Sequence, residues 1–242
     1  GSDTTEATDD TTAQSDLTVG LVYDLGGRGD QSFNDSAAAG LDQAAEEFGV
    51  EVEELEPDEG GENRQELVQL LCDQGTNLIF AVGFLSSEAI GAVAPNCPDS
   101  TFAIVDDAAN DFPNLANLVF AEEQGSFLVG AAAALTTATD HVGFIGGVNT
   151  ELIQKFQAGY EAGVAAIDPA ITVDVEYLTE PPDFDGFNDP GRGNEVATSM
   201  YEGGADVIFG GDETGAGDLF LGGDAGADRV MGGFGDDRID GG

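Results

Sequence analysis

From Leu17 onward the chain alternates short apolar runs with stretches in which apolar residues recur every three or four positions. The runs at 17–23, 50–55, 78–82, 102–105 and 115–120 read as strands, since a short apolar run bounded by turn residues suits a strand covered on both faces. Between them the spacing predicts helices over 34–48, 63–72 and 87–93, the first placing Ala37, Leu41, Ala44 and Phe48 on one stripe. Strand and helix in alternation means βαβ units and a parallel sheet.

The same rhythm restarts after a joint near 120–124. A helix over 124–136 leads to strands at 141–145, 171–178 and 206–209, separated by helices over 151–167 and 191–201. Two Rossmann-like α/β lobes facing a cleft are the expected architecture, with a ligand outside the carboxyl ends of the strands. The expected boundaries are a flexible acidic tether at 1–16, an N-terminal lobe at 17–121 and an incomplete C-terminal lobe at 122–220. At 221–242 follows a tail rich in Gly and Asp.

Charge changes the picture next. Forty-eight acidic residues face six basic ones, a formal net charge of −42, and Lys155 is the only lysine. Because the apolar periodicity is intact, the acid belongs on folded surfaces and not in a disordered chain. Self-repulsion on this scale opposes the compact state in dilute buffer, whereas molar salt shortens the Debye length to ~3 Å and screens it. The composition therefore points to a halophilic protein, for which nucleic acid and anionic lipid are poor partners. No apolar run approaches the ~20 residues of a bilayer crossing. Cys72 and Cys97 lack metal-ligand spacing, and the sequence leaves open whether they pair.

The stretch with most chemistry is Asp24-Leu25-Gly26-Gly27-Arg28-Gly29-Asp30-Gln31-Ser32-Phe33-Asn34, running from a strand end into a helix start. It lacks both phosphate-loop patterns, and its carboxylates disfavour an anion. An uncharged, hydroxyl-bearing ligand with an aromatic ring suits it better, Phe33 offering a stacking face and Asp or Asn side chains taking hydroxyls. The plainer reading makes Phe33 a hydrophobic staple, Asn34 the helix N-cap and Asp24 a turn cap. His141, the single histidine, reads as a surface residue, and no nucleophile–base constellation is visible.

Several blocks, in order, resemble the basic membrane protein family of solute-binding lipoproteins, which includes purine nucleoside receptors of ABC importers. They are DLGGRGDQSFNDSAAAG at 24–40, FAIVDD at 102–107, GSFLVG at 125–130 and VGFIGGVNTELIQKFQAGYEAG at 142–163. Phe187-Asn188-Asp189-Pro190 and GADVIF at 204–209 continue the match. The resemblance implies a periplasmic-binding-protein type I fold whose lobes close on a nucleoside, without catalysis. It implies an ABC permease partner and a site on the extracellular face of the membrane, with a lipid anchor upstream of Gly1. Phe33 and Phe187 would stack on the base, while Asp24, Asp30, Ser32, Asn34 and Asp106 would meet its polar edge or ribose. Phe187 lies among prolines and acids, where an exposed aromatic is expected.

The tail departs from the family. It resembles the G-G-x-G-x-D-x-U-x repeats that bind Ca²⁺, with Asp218, Asp228 and Asp237 each two residues before an apolar residue. No other cofactor is expected. Asp228 and Asp237 are the candidate calcium ligands, and a calcium-binding surface or adhesion protein with a passive α/β scaffold is the competing reading. With that charge the thermal midpoint should rise as KCl goes from about 0.1 M to about 1 M. A midpoint that falls, followed by circular dichroism, contradicts it.

Overall fold

The computed structural model describes residues 16–30, 33–58, 60–211, 219–221 and 229–231. The chain divides into two compact units, residues 1–30 with 34–119, and residues 31–33 with 120–242.

In the first unit five parallel strands, β1 (Thr18–Val22), β2 (Glu51–Leu55), β3 (Leu78–Val82), β4 (Thr101–Val105) and β5 (Leu115–Leu118), lie in the order β2-β1-β3-β4-β5. Helix α1 (Phe33–Phe48) links β1 to β2, α2 (Arg64–Gln74) links β2 to β3, and α3 (Ser87–Val93) precedes β4. The chain moves outward from β1 to β2 and then back past β1. With right-handed crossovers, that reversal sends α1 to one face and α2 and α3 to the other.

Side chains alternate across a strand, so each face draws on every second residue. On the α2 and α3 face Val22, Ile79, Ala81, Phe102 and Ile104 pack with Val68, Leu71, Ile90 and Val93 in a closed core. On the α1 face the intervening residues Leu21, Phe80 and Val105, together with Ala37, Leu41 and Ala44, line an apolar groove of about 750 Å³.

Asparagines tie the loops of this unit. The Asn77 Oδ1 accepts the Thr18 N–H at 2.9 Å. The Asn114 side-chain amide donates to the carbonyls of Ala94, Cys97 and Ser100 at 3.0–3.1 Å. In a chain short of cations, a neutral amide satisfies carbonyls without adding to the charge. Helix α2 ends at Gly75, whose φ of +79° permits its N–H to reach the Cys72 carbonyl at 2.9 Å. The structure resolves the cysteine question: Cys72 and Cys97 are joined, with Cα atoms 6.2 Å apart.

The second unit begins with α4 (Glu122–Thr136), followed by β6 (His141–Val148), α5 (Glu151–Ile167), β7 (Thr172–Thr179), α6 (Pro190–Gly203) and β8 (Val207–Gly211). Strand β6 pairs in parallel with β7 and β8. Helices α4 and α5 approach closely because α5 carries Gly163 at the contact, where an added Cβ would meet the Ala131 nitrogen at 2.9 Å. Beneath them Tyr160 packs against Phe144 and Phe209, with ring centroids 6.1 and 5.3 Å away.

Here the structure corrects the expectation of a parallel sheet ending before a separate tail. Strands β9 (Leu219–Leu221) and β10 (Arg229–Met231) extend this sheet antiparallel, in the order β10-β9-β8-β6-β7. The connections at 212–218 and 222–228 are too short for the crossover of about a dozen residues that parallel pairing requires.

The disulfide closes a loop between residues 25 apart in sequence. Replacing both cysteines by serine should lower the unfolding free energy by about 3 kcal/mol, through the freedom regained by the unfolded chain. Urea denaturation in high salt measures this, and an unchanged midpoint would show that the core alone fixes the two segments.

Candidate functional site

The loops following β1, β2, β3 and β4 meet at the carboxyl edge of the first sheet. Asp24, two residues past β1, is 9% exposed, and its Oδ1 accepts the Leu25 N–H at 2.8 Å and the Arg64 Nη2 at 2.9 Å. Burial pushes its carboxyl above the ordinary value, against the pull of the Leu25 N–H and of the Arg64 guanidinium.

Asn34 is 2% exposed and sits one residue inside α1. Its Oδ1 accepts the Asp24 N–H at 2.9 Å, and its Nδ2 donates to the Leu25 carbonyl at 3.2 Å. It is therefore a clasp across the β1–α1 loop and not the N-cap of the plainer reading. The capping carboxylate belongs to Asp30, whose two oxygens accept the N–H groups of Asn34 at 2.7 Å and Asp35 at 3.0 Å. Phe33 opens α1 and is half-buried. Ser32 lies outside the described residues.

On the outer side of this loop Arg28 forms a bidentate pair with Asp42 at 3.0 and 3.1 Å and reaches Glu54 at 2.6 Å. Glu54 in turn accepts the Tyr23 hydroxyl. Burial, followed by the hydrogen bond to Glu54, pushes Tyr23 up to about 12. The Arg28 hydrogen bond holds the Glu54 carboxyl below its ordinary value.

At the end of β4, Asp106 is 9% exposed and has φ +65°. Left-handed backbone is unfavourable for a residue with a Cβ and gathers at functional positions. The strained turn is held by the Asp106 N–H, which donates to the Leu118 carbonyl at 2.7 Å. Beside it Asp107 accepts the Ser87 hydroxyl at 2.9 Å and the Ala109 N–H at 3.1 Å.

The structure thus brings Asp24, Asp30 and Asn34 together within one unit. Phe187 belongs to the other, in a short 3-10 turn, Asp185–Asn188. The expectation of an exposed ring is corrected: Phe187 is 9% exposed and packs over Gly147, where an added Cβ would meet its Cδ1 at 2.7 Å. The candidate calcium ligands Asp228 and Asp237 lie outside the described residues, among which no cluster of three or more His, Cys, Asp or Glu stands ready for a metal. His141 meets Asp174 at 2.8 Å.

Sequence reasoning passed over Arg64 and Gly83. Gly83 has φ +82°, and an added Cβ there would overlap the Asp24 carboxylate. A signal for Arg64 was present: it is one of only six basic residues, at the start of a predicted helix.

The two α/β units have the type I periplasmic-binding-protein fold. A solved solute-binding protein of an ABC transporter system from Aeropyrum pernix K1 shares it, with a TM-score of 0.68 and 32% identity over 80% of this chain and 54% of that one. Residues 17–219 match the Bmp family, described as ABC transporter substrate-binding protein PnrA-like, and the chain belongs to that family. It is 38% identical to the CD4+ T-cell-stimulating antigen of Listeria innocua, over 86% of this chain and 57% of the relative. It is 34% identical to the ABC transporter nucleoside-binding protein BmpA of Lactococcus lactis, over 81% of this chain and 55% of that protein. The chain spans little more than half the length of these curated relatives.

Asn34→Ala should leave the Asp24 N–H and the Leu25 carbonyl without their buried partner, lowering the unfolding free energy by about 2 kcal/mol. Chemical denaturation gives the value, and a wild-type midpoint would mean that the loop is held without the clasp.

Proposed function

We propose that this chain carries the ligand-binding region of an extracellular receptor for an ABC importer, and that its ligand is a nucleoside. The observation that carries the reading is the β1–α1 loop: an acid-bearing edge whose neighbouring arginines, Arg28 and Arg64, are already engaged by carboxylates. Such an edge suits hydroxyls and a neutral base, and repels a phosphate. The 34% identity to a relative named as nucleoside-binding supports the same choice.

In this reading Phe33 and Phe187 are the rings that stack on the base. Asp30, Asn34, Ser32 and Asp24 lie in or under the loop that meets the ligand, and Asp106 accepts hydrogen bonds from base or ribose. Purines are favoured, having the larger face to stack. The permease is the protein partner, and a lipid anchor of the kind carried by lipoprotein relatives tethers the receptor. The reaction is capture and release, with no bond broken.

The test is titration calorimetry in high salt with adenosine, inosine, uridine and AMP. Binding of the purine nucleosides, weakened by roughly 1–3 kcal/mol in Phe33→Ala and poor for AMP, is the expected result. No affinity for any nucleoside ends the proposal, and free base accumulating in the same samples replaces it with an enzyme. A thermal shift produced by Ca²⁺ alone would move the function to the Asp228 and Asp237 tail.

A further inference from the structure

Arg64 occupies an unfavourable place. It is the first residue of α2, where the helix dipole repels a cation, and it is 9% exposed in a chain whose basic residues number six. Its Nε is buried and, among the described residues, has no hydrogen-bond partner. A buried ion pair is a weak source of stability, since apolar residues of the same volume serve about as well. Stability therefore does not explain it; what the pair contacts offers an explanation.

The Arg64 Nη2 holds the Asp24 carboxylate at 2.9 Å while its Nη1 donates to the Gly61 carbonyl at 3.1 Å. Two glycines with positive φ clear the space: an added Cβ at Gly61 would overlap the guanidinium, and one at Gly83 the carboxylate. Asp24 passes the constraint on by accepting the Leu25 N–H, and Asn34 of α1 holds the Leu25 carbonyl. Both backbone groups of Leu25 are thereby fastened, one to α2 and the other to α1.

We propose that Arg64 is a positioning residue for the ligand loop: its guanidinium fixes the Asp24 side chain, and through it the backbone of residues 24–30. The assignment of 24–30 as the ligand loop rests on the nucleoside reading; the mechanical claim does not. Asp24 on this view serves the ligand from beneath, by shaping the loop, and Gly61 and Gly83 are required for the pair to fit.

The test compares the wild type with Arg64→Lys, Arg64→Met and the double variant Asp24→Asn with Arg64→Met, in high salt. Amide hydrogen exchange is read over 24–30 and, as a control, over β3 and β4, alongside the urea midpoint and inosine calorimetry. In the double variant, which buries no lone charge, exchange over 24–30 should quicken about tenfold with β3 and β4 unchanged, and inosine affinity should fall about tenfold. Arg64→Lys, which keeps the charge but loses the Gly61 contact, should fall between it and the wild type. Wild-type exchange over 24–30 in the double variant overturns the proposal, as does an equal loss of protection in β3 and β4, which marks a general structural role. If the double variant does not fold, Arg64→Lys decides: faster exchange confined to 24–30 supports the proposal, and wild-type exchange overturns it. A wild type that binds no inosine or other nucleoside defeats the nucleoside reading, while the exchange comparison still decides the role of Arg64.

Discussion

A carboxylate withdrawn from water must find donors, and this chain, with forty-eight acids and six bases, has few cations to offer. The structure answers mostly with backbone N–H groups and with side-chain amides or hydroxyls. Asp30 takes two helix N–H groups, Asp107 a serine hydroxyl and a main-chain N–H, and Asp206 the Thr137 hydroxyl with the N–H groups of Ala138 and Thr139. Lys155 stands 3.4 Å from the buried Glu122. Arginine appears where the loop after β1 must be held from two sides, Arg28 outside and Arg64 beneath. The polar architecture of the first unit follows from that scarcity.

Much of the fold was legible because apolar spacing is set by burial, and the acid rests on positions burial leaves free. The stripe of Ala37, Leu41 and Ala44 and the run from Leu78 to Val82 mark α1 and β3 directly. Illegible were contacts made between segments distant in sequence. Arg64 meets Asp24 across forty residues, and no local pattern records it. Phe187 looked exposed because its neighbours are polar, yet Gly147, hidden in the run of β6, leaves room for its ring. The short strands β9 and β10 have too few residues to show a period. In the loop after β1 the plainer reading gave the cap to Asn34, whereas Asp30 caps and Asn34 clasps, a division of parts that depends on where the loop folds back.

Open parallel sheets bind ligands at the carboxyl edge of their strands, and the proposed site lies at that edge of the first unit. The geometry adds that this edge is prepared by the fold. The glycine at 83, the left-handed Asp106 and the buried amide of Asn34 each fix backbone at a strand end. Order established by folding need not be imposed at the moment of capture, which favours affinity through a smaller entropic loss.

The groove beside α1 has a different consequence. Dissolved ions that quiet repulsion among carboxylates also raise the tension between water and hydrocarbon, when they are of the excluded kind such as sulfate or phosphate. Ionic strength then pulls on the first unit in opposite senses, relaxing its acidic coat while making the hydrocarbon walls at Phe80 and Val105 more reluctant to stay wet. Its solubility is for that reason a property of which salt surrounds it as much as of how much, with chloride brines gentler than sulfate ones.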